Sequence, residues 1–199
     1  FFKTLYINFT VLPFWQAIQL PIIVLGKLRI VSLRGKVRFD CPIRFGLVVL
    51  GADVDAMPIT FVPTQINIQG LLSISGNVIV NKGASLVVWE TAEIGDNCTI
   101  YQNVTLGGTG KDHGKRHPTL GNDVMICSGC LVKAVNRVKI GNHVMISSGC
   151  FIMDSSIHCI YNTETLDVKS SEGQITIGNN VWLNMYTDIV KWGGCQMVV

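Results

Sequence analysis

The chain has 199 residues, room for one large domain or a domain with a small appendage, and enough to bury a core. Hydrophobic residues make up 48% and charged residues only 15%, which excludes a disordered chain, while a net charge of +3, small and scattered, excludes a nucleic-acid surface. The 7 cysteines are an odd number and would mark a disulfide framework only in a small secreted chain, so a reducing, cytoplasmic setting is expected.

From Thr4 to Gly26 no residue is charged, but Pro13 and Pro21 break the stretch and Asn8, Gln16 and Gln19 interrupt its apolarity. A simple spanning helix needs about 20 mostly apolar residues without such breaks, and a signal peptide needs a basic start and a small-residue cleavage site. Two readings stay open for residues 1–35. One is an apolar segment that caps or packs on the main domain; the other is a monotopic anchor, with Tyr6, Phe14 and Trp15 as interfacial aromatics and peripheral contact at the inner face of a membrane. The first residue is Phe rather than Met, so a missing start is expected. Residues 36–73 read as a lead-in, and 74–199 as the main domain.

In that domain aliphatic residues recur every six positions: Ile74, Val80 and Leu86, then Val88, Ile94, Ile100 and Leu106. The rhythm resumes at Leu120, Ile126 and Val132, at Ile140, Ile146 and Ile152, and at Ile177, Leu183 and Ile189. A period of six fits neither a helix nor an alternating strand. A short strand plus a tight turn consumes six residues, and stacking such units builds a β-solenoid in which each aliphatic falls over the last. Gly and Asn follow the aliphatic in IGDNCT, LGNDVM, IGNHVM and IGNNVW, where corners need residues that tolerate positive φ. Cys98, Cys130 and Cys150 take the fifth place of their hexads, where others have Val, and read as core filler. The Cys127-x-x-Cys130 spacing then needs no metal, and no second pair stands at finger spacing. His143, inside IGNHVM, sits at a corner-type position.

The hexads IGDNCT, IGNHVM and IGNNVW resemble those of the hexapeptide acyltransferases, over about Val78 to Gly194. The resemblance implies an all-β fold, a left-handed parallel β-helix, whereas strand twist alone favours right-handed crossovers. It also implies a homotrimer with its active site between neighbouring helices, and acetyl-CoA as acyl donor. The family's closing Gly-x-Pro-Ala segment is absent by Val199, so a truncated repeat domain is expected.

Two large breaks in phase mark loops, which carry function more often than the scaffold does. The first, within TLGGTGKDHGKRHP, spans Gly107 to Thr119. It lacks the glycine spacing and the Ser or Thr after lysine of a Walker phosphate cradle. With ETAEIGDN before it, Glu90 to Pro118 resembles the serine acetyltransferases, which implies substrate or coenzyme binding by this loop: Gly107, Gly108, Gly110 and Lys111 are candidates for the coenzyme, and Lys115, Arg116 and His117 for the acceptor, while the cations Lys111, Lys115 and Arg116 suit coenzyme phosphates, an acidic group on the acceptor, or a plainly solvated loop. The resemblance puts that family's catalytic histidine and its aspartate at Lys82 and Asn81, and a lysine with an ordinary pKa of about 10.4 is a poor base at neutral pH. His113 and His117 have a metal-ligand spacing, but no third ligand at matching spacing is evident, so no metal is expected.

The second break, Met153 to Gln174, holds SSIHCI and is followed by ITIGNNVWLN. This resembles the galactoside and maltose acetyltransferases, which implies His158 as the catalytic base, with Trp182 and Asn184 at the coenzyme. Cys159 stands where proline is common, Leu183-Asn184 replaces Ile-Gly, and KWGGC stands where a clean hexad is expected. Asp154, four residues before His158, is a candidate to orient the imidazole or meet the acceptor. The expected activity is transfer of an acetyl group to a hydroxyl of a sugar or polysaccharide precursor. The alternatives are an amino-acid acetyltransferase of the serine type and a non-catalytic β-helix scaffold.

Overall fold

The computed structural model describes every residue except 54–61, 89–90, 109–116, 156–159, 166, 170–172, 191–195 and 199. Two short helices, α1 (Phe2–Val11) and α2 (Phe14–Ala17), precede seven coils of three strands each. Coil 1 holds β1 (Ile22–Val24), β2 (Leu28–Leu33) and β3 (Lys36–Phe39); coil 2 holds β4 (Val48–Ala52), β5 (Thr64–Ile68) and β6 (Leu71–Ile74). Coil 3 holds β7 (Val78–Asn81), β8 (Ser85–Val88) and β9 (Thr91–Ile94); coil 4 holds β10 (Cys98–Ile100), β11 (Thr105–Gly108) and β12 (His117–Leu120). Coil 5 holds β13 (Met125–Ile126), β14 (Leu131–Ala134) and β15 (Arg137–Ile140). Coil 6 holds β16 (Met145–Ile146) and β17 (Phe151–Met153), then a small hairpin of β18 (Ile160–Tyr161) and β19 (Val168–Lys169), then β20 (Gln174–Ile177). Coil 7 holds β21 (Trp182–Leu183), β22 (Asp188–Val190) and β23 (Gln196–Val198).

The first, second and third strands of successive coils stack into three seven-stranded sheets, I, II and III, all parallel, the architecture of a left-handed parallel β-helix. Register puts the hexad aliphatics directly over one another. Ile100 pairs with Ile126, Ile126 with Ile146, and Ile146 with Leu183 in sheet I. In sheet II, Leu106 lies over Val132 and Val132 over Ile152. All of these side chains are at most 5% exposed, so the period-six residues form one axial core. Cys98, Cys130 and Cys150 are buried in it, and burial pushes the Cys98 and Cys130 thiols up to about 11.

The III–I corner explains the Gly-Asn hexads. A Cβ on Gly121 would come within 2.5 Å of the Asn142 side-chain oxygen and 2.6 Å of the Gly141 carbonyl, so the column admits only glycine there. Each following side chain accepts a hydrogen bond from the coil before it: Asn122 from the Asp96 N–H at 2.9 Å, Asn142 from the Asn122 N–H at 2.8 Å, Asn179 from the Asn142 N–H at 2.8 Å. The next residue turns left-handed, with φ of 54° at Asn97, 55° at Asp123 and His143, and 58° at Asn180. His143 is thus a corner residue, with its Nδ1 3.3 Å from an Asp123 carboxylate oxygen on the surface.

The solenoid begins at Ile22, so its first two coils occupy stretches that the period did not mark. The six-residue rhythm is hidden there by residues 54–61, which separate β4 from β5, and by bulges at Ile30/Ser32 and Leu50/Ala52. The amino-terminal segment caps the open end of coil 1. Helix α1 turns Ile7 and Val11 into the axial core and Thr4 and Asn8 onto the edge of β1. Asn8 is fully buried; its amide donates to the Ile22 carbonyl at 2.7 Å and its oxygen accepts from the Ile22 N–H at 3.2 Å, while Thr4 accepts from the Val24 N–H at 3.0 Å. Those bonds satisfy a strand edge that would otherwise stay open to pairing. Among the described residues no helix is long and apolar enough to cross a membrane.

Candidate functional site

Both breaks in phase open on the II–III corner, on coils 4 and 6, with only coil 5 between them. The first leaves sheet II after β11 and enters sheet III at β12. Gly107 pairs with Lys133 and Gly108 with Ala134. A Cβ on Gly107 would lie 1.8 Å from the Val87 carbonyl oxygen, so the glycine lets β11 press against β8 just before the loop leaves. Gly110, Lys111, His113, Lys115 and Arg116 lie outside the described residues. His117 is the first residue of β12, in register with Arg137, which is itself in register with Gln174.

The second break starts at Asp154, whose carboxylate is fully buried in the corner of coil 5. It accepts from the backbone N–H of Val135 at 2.6 Å, from that of Asn136 at 2.7 Å, and from that of Arg137. Three successive N–H groups converging on one anion form a nest. Burial pushes the Asp154 carboxyl above its ordinary value, and the three N–H donors pull against that shift. The Asp154 carbonyl in turn accepts from the Gly173 N–H at 2.9 Å, which closes the stem of the loop. Asp154, read from sequence as an acceptor contact, therefore spends its carboxylate on the scaffold: both oxygens are taken by backbone donors one coil away. Beyond the stem, β18 and β19 pair antiparallel, and the Asn162 side chain accepts from the N–H groups of Glu164 at 2.9 Å and Thr165 at 3.4 Å to shape their turn. His158 and Cys159 lie outside the described residues.

Trp182 and Asn184 stand elsewhere on the coil. Trp182 lies on sheet I, in register with Met145, its indole N–H donating to the Ser147 hydroxyl at 2.7 Å while the ring is 72% exposed. With His143, Met145, Asn180 and Val181 it lines an open groove of about 410 Å3. Asn184 shapes the I–II corner, its side-chain oxygen accepting from the Met185 N–H at 2.8 Å and its carbonyl from the Thr187 hydroxyl at 2.7 Å. Within one chain the structure gathers Gly107, Gly108, His117 and Asp154 at one corner and places Trp182 and Asn184 on another side.

One feature was passed over in the sequence. Arg137 is exposed, shares a register column with His117, and donates its backbone N–H to Asp154. An outward position inside a regular hexad gives no break in phase to flag it. Lys82, at the I–II corner of coil 3, lies 3.9 Å from an Asp53 carboxylate oxygen. Among the described residues no group of His, Cys, Asp and Glu is placed to hold a metal ion.

No family model and no solved structure matches the chain. Among curated proteins it is similar to serine acetyltransferases. It is 47% identical over 77 residues to that of Staphylococcus aureus strain Mu50, a match covering 39% of this chain and 35% of the relative. The Staphylococcus epidermidis protein gives the same identity and coverage, and that of Staphylococcus xylosus is 49% identical over 69 residues, 35% of this chain and 32% of the relative. The chain spans about a third of the length of the curated relatives it matches.

Proposed function

We propose that the protein transfers an acetyl group from acetyl-CoA to the hydroxyl of a small acceptor, and that an amino acid of the serine type is that acceptor. The observation that carries this reading is the 47% identity to serine acetyltransferases over 77 residues, in a chain whose two loops share one corner of the coil. When bound, acetyl-CoA supplies a thioester carbonyl and a thiolate leaving group. The groove beside Trp182 is apolar enough and, at about 410 Å3, large enough for part of the coenzyme's arm. Trp182 and Asn184, with Gly107, Gly108, Gly110 and Lys111 of the first loop, are assigned to the coenzyme. Lys115, Arg116 and His117 are assigned to the acceptor, joined by Arg137, whose cation suits an amino-acid carboxylate. His158 is the proposed base: a neutral imidazole, with an ordinary pKa of about 6.5, takes the hydroxyl proton as the oxygen attacks.

These assignments call for more than one copy of the chain. The coenzyme and acceptor groups lie on different sides of one coil, and neighbouring copies bring such sides together. The outward column of sheet I supports a homotrimer: in register it runs Ile23, Val49, Ile79, Thr99, Met125, Met145 and Trp182, apolar almost throughout.

A sugar hydroxyl is the second reading. Lys82, ion-paired with Asp53, stands where the resemblance puts the serine enzymes' histidine, so serine-specific chemistry is in question. Release of free thiol from acetyl-CoA, followed with serine, with a panel of sugars and with no acceptor, separates the readings. Serine-dependent release supports the proposal, sugar-dependent release moves it to the second reading, and no release with any acceptor leaves a non-catalytic scaffold.

A further inference from the structure

We infer that the outer face of the amino-terminal cap docks on a lipid bilayer surface carrying anionic headgroups. Helix α1 carries large apolar side chains on both sides. Its inner side, Thr4, Ile7, Asn8 and Val11, closes the end of the solenoid, while Phe2, Tyr6 and Phe9, spaced four and three residues apart, face outward. Helix α2 adds Phe14 and Trp15 to that face. The Phe9 and Phe14 ring centroids are 5.9 Å apart and those of Phe14 and Trp15 5.3 Å, so these rings form one cluster. Trp15 is 75% exposed and Phe14 60%. Large apolar side chains on two sides of a helix favour cover on both, and the solenoid covers the side that carries Ile7 and Val11.

Charge selects the cover. Seven basic residues stand among the first 50 against one acidic residue, Asp40; the remaining 149 hold nine basic and twelve acidic. The net charge of +3 is therefore not scattered but polarised along the axis. Lys27, Arg29, Arg34 and Lys36, all exposed, belong to coil 1, directly beneath the cap. An exposed aromatic cluster with a basic first coil behind it matches the interfacial zone of an anionic bilayer, where rings sit at headgroup depth and Lys and Arg meet phosphate. A second copy of the chain would bring two such basic ends together, which disfavours self-association through this face.

Vesicle sedimentation of the 199-residue chain tests this, with phosphatidylcholine alone and with phosphatidylcholine mixed with phosphatidylglycerol. Binding is expected only to the mixed vesicles and should weaken in about 0.5 M salt. The pair Phe14→Ser and Trp15→Ser, and separately the pair Arg29→Glu and Lys36→Glu, should each lower the bound fraction at a given lipid concentration by about tenfold or more, with the melting temperature kept. Either pair decides if the other fails to fold. Absence of binding to the mixed vesicles, equal binding to both kinds, or binding untouched by the variants would overturn the inference. So would self-association of the wild-type chain, in place of vesicle binding, that the aromatic pair abolishes, since it would assign the face to a second copy.

Discussion

Three consecutive backbone N–H groups, those of Val135, Asn136 and Arg137, converge on the Asp154 carboxylate, which is buried inside the II–III corner. Asp154→Ala is expected to cost about 2–4 kcal/mol, because buried donors left without an acceptor lose their full desolvation cost. Asn142→Ala at the exposed III–I corner should cost only about 0.5–1 kcal/mol, since solvent can take the freed Asn122 N–H. Urea unfolding of both variants checks the contrast; equal losses would contradict the burial argument. Asp96 sets a pH dependence. Its carboxylate accepts from the Asn77 N–H at 2.6 Å and the Asn97 N–H at 2.8 Å, and the Asn77 bond leads the causes that hold its pKa below the ordinary 3.8. A lowered folded-state value contributes stability that is present above the unfolded pKa and is lost as pH falls through the lowered one. Asp96→Asn should flatten that acid limb of the melting-temperature profile, and an unchanged limb would remove Asp96 as its source.

At the scale of elements, sheet I carries the prediction about assembly. Its outward column puts Met145 and Trp182, 41% and 72% exposed, at one end of an apolar stripe with only Thr99 as a polar break. Wild-type chain should sediment as a trimer at micromolar concentration, and Met145→Glu should shift it to monomer with its circular dichroism unchanged. A monodisperse wild-type monomer would contradict a site shared between copies. Elements also show what the sequence could reveal. Period-six aliphatics were legible because a stacked coil repeats the same contact, so Ile126 and Ile146 announce their neighbours by spacing alone. Coils 1 and 2 were not legible, because residues 54–61 and two bulges hide the period. Asn8 read as a polar flaw in an apolar segment, and only the edge of β1 beside it explains it. The Asp154 nest left no signal either, since its partners are backbone groups on another coil.

For the whole molecule, the corner that carries both loops is the feature the spacing announced twice and the fold made single. The sequence separates His117 from the second loop by more than a full coil; stacking brings the end of one loop and the stem of the other to one corner with only coil 5 between them. The division of labour between them is a kinetic matter. His158 as base and His117 as acceptor contact predict different kinetics, because a group used at the transition state lowers turnover, whereas one used equally in the ground state raises the Michaelis constant. Steady-state thiol release from acetyl-CoA by wild type, His158→Ala and His117→Ala is the direct measurement. The account predicts turnover reduced about 10²-fold or more for His158→Ala with coenzyme affinity kept, and a raised Michaelis constant for the acceptor in His117→Ala. Turnover abolished by His117→Ala and left intact by His158→Ala would contradict it and put the chemistry in the first loop.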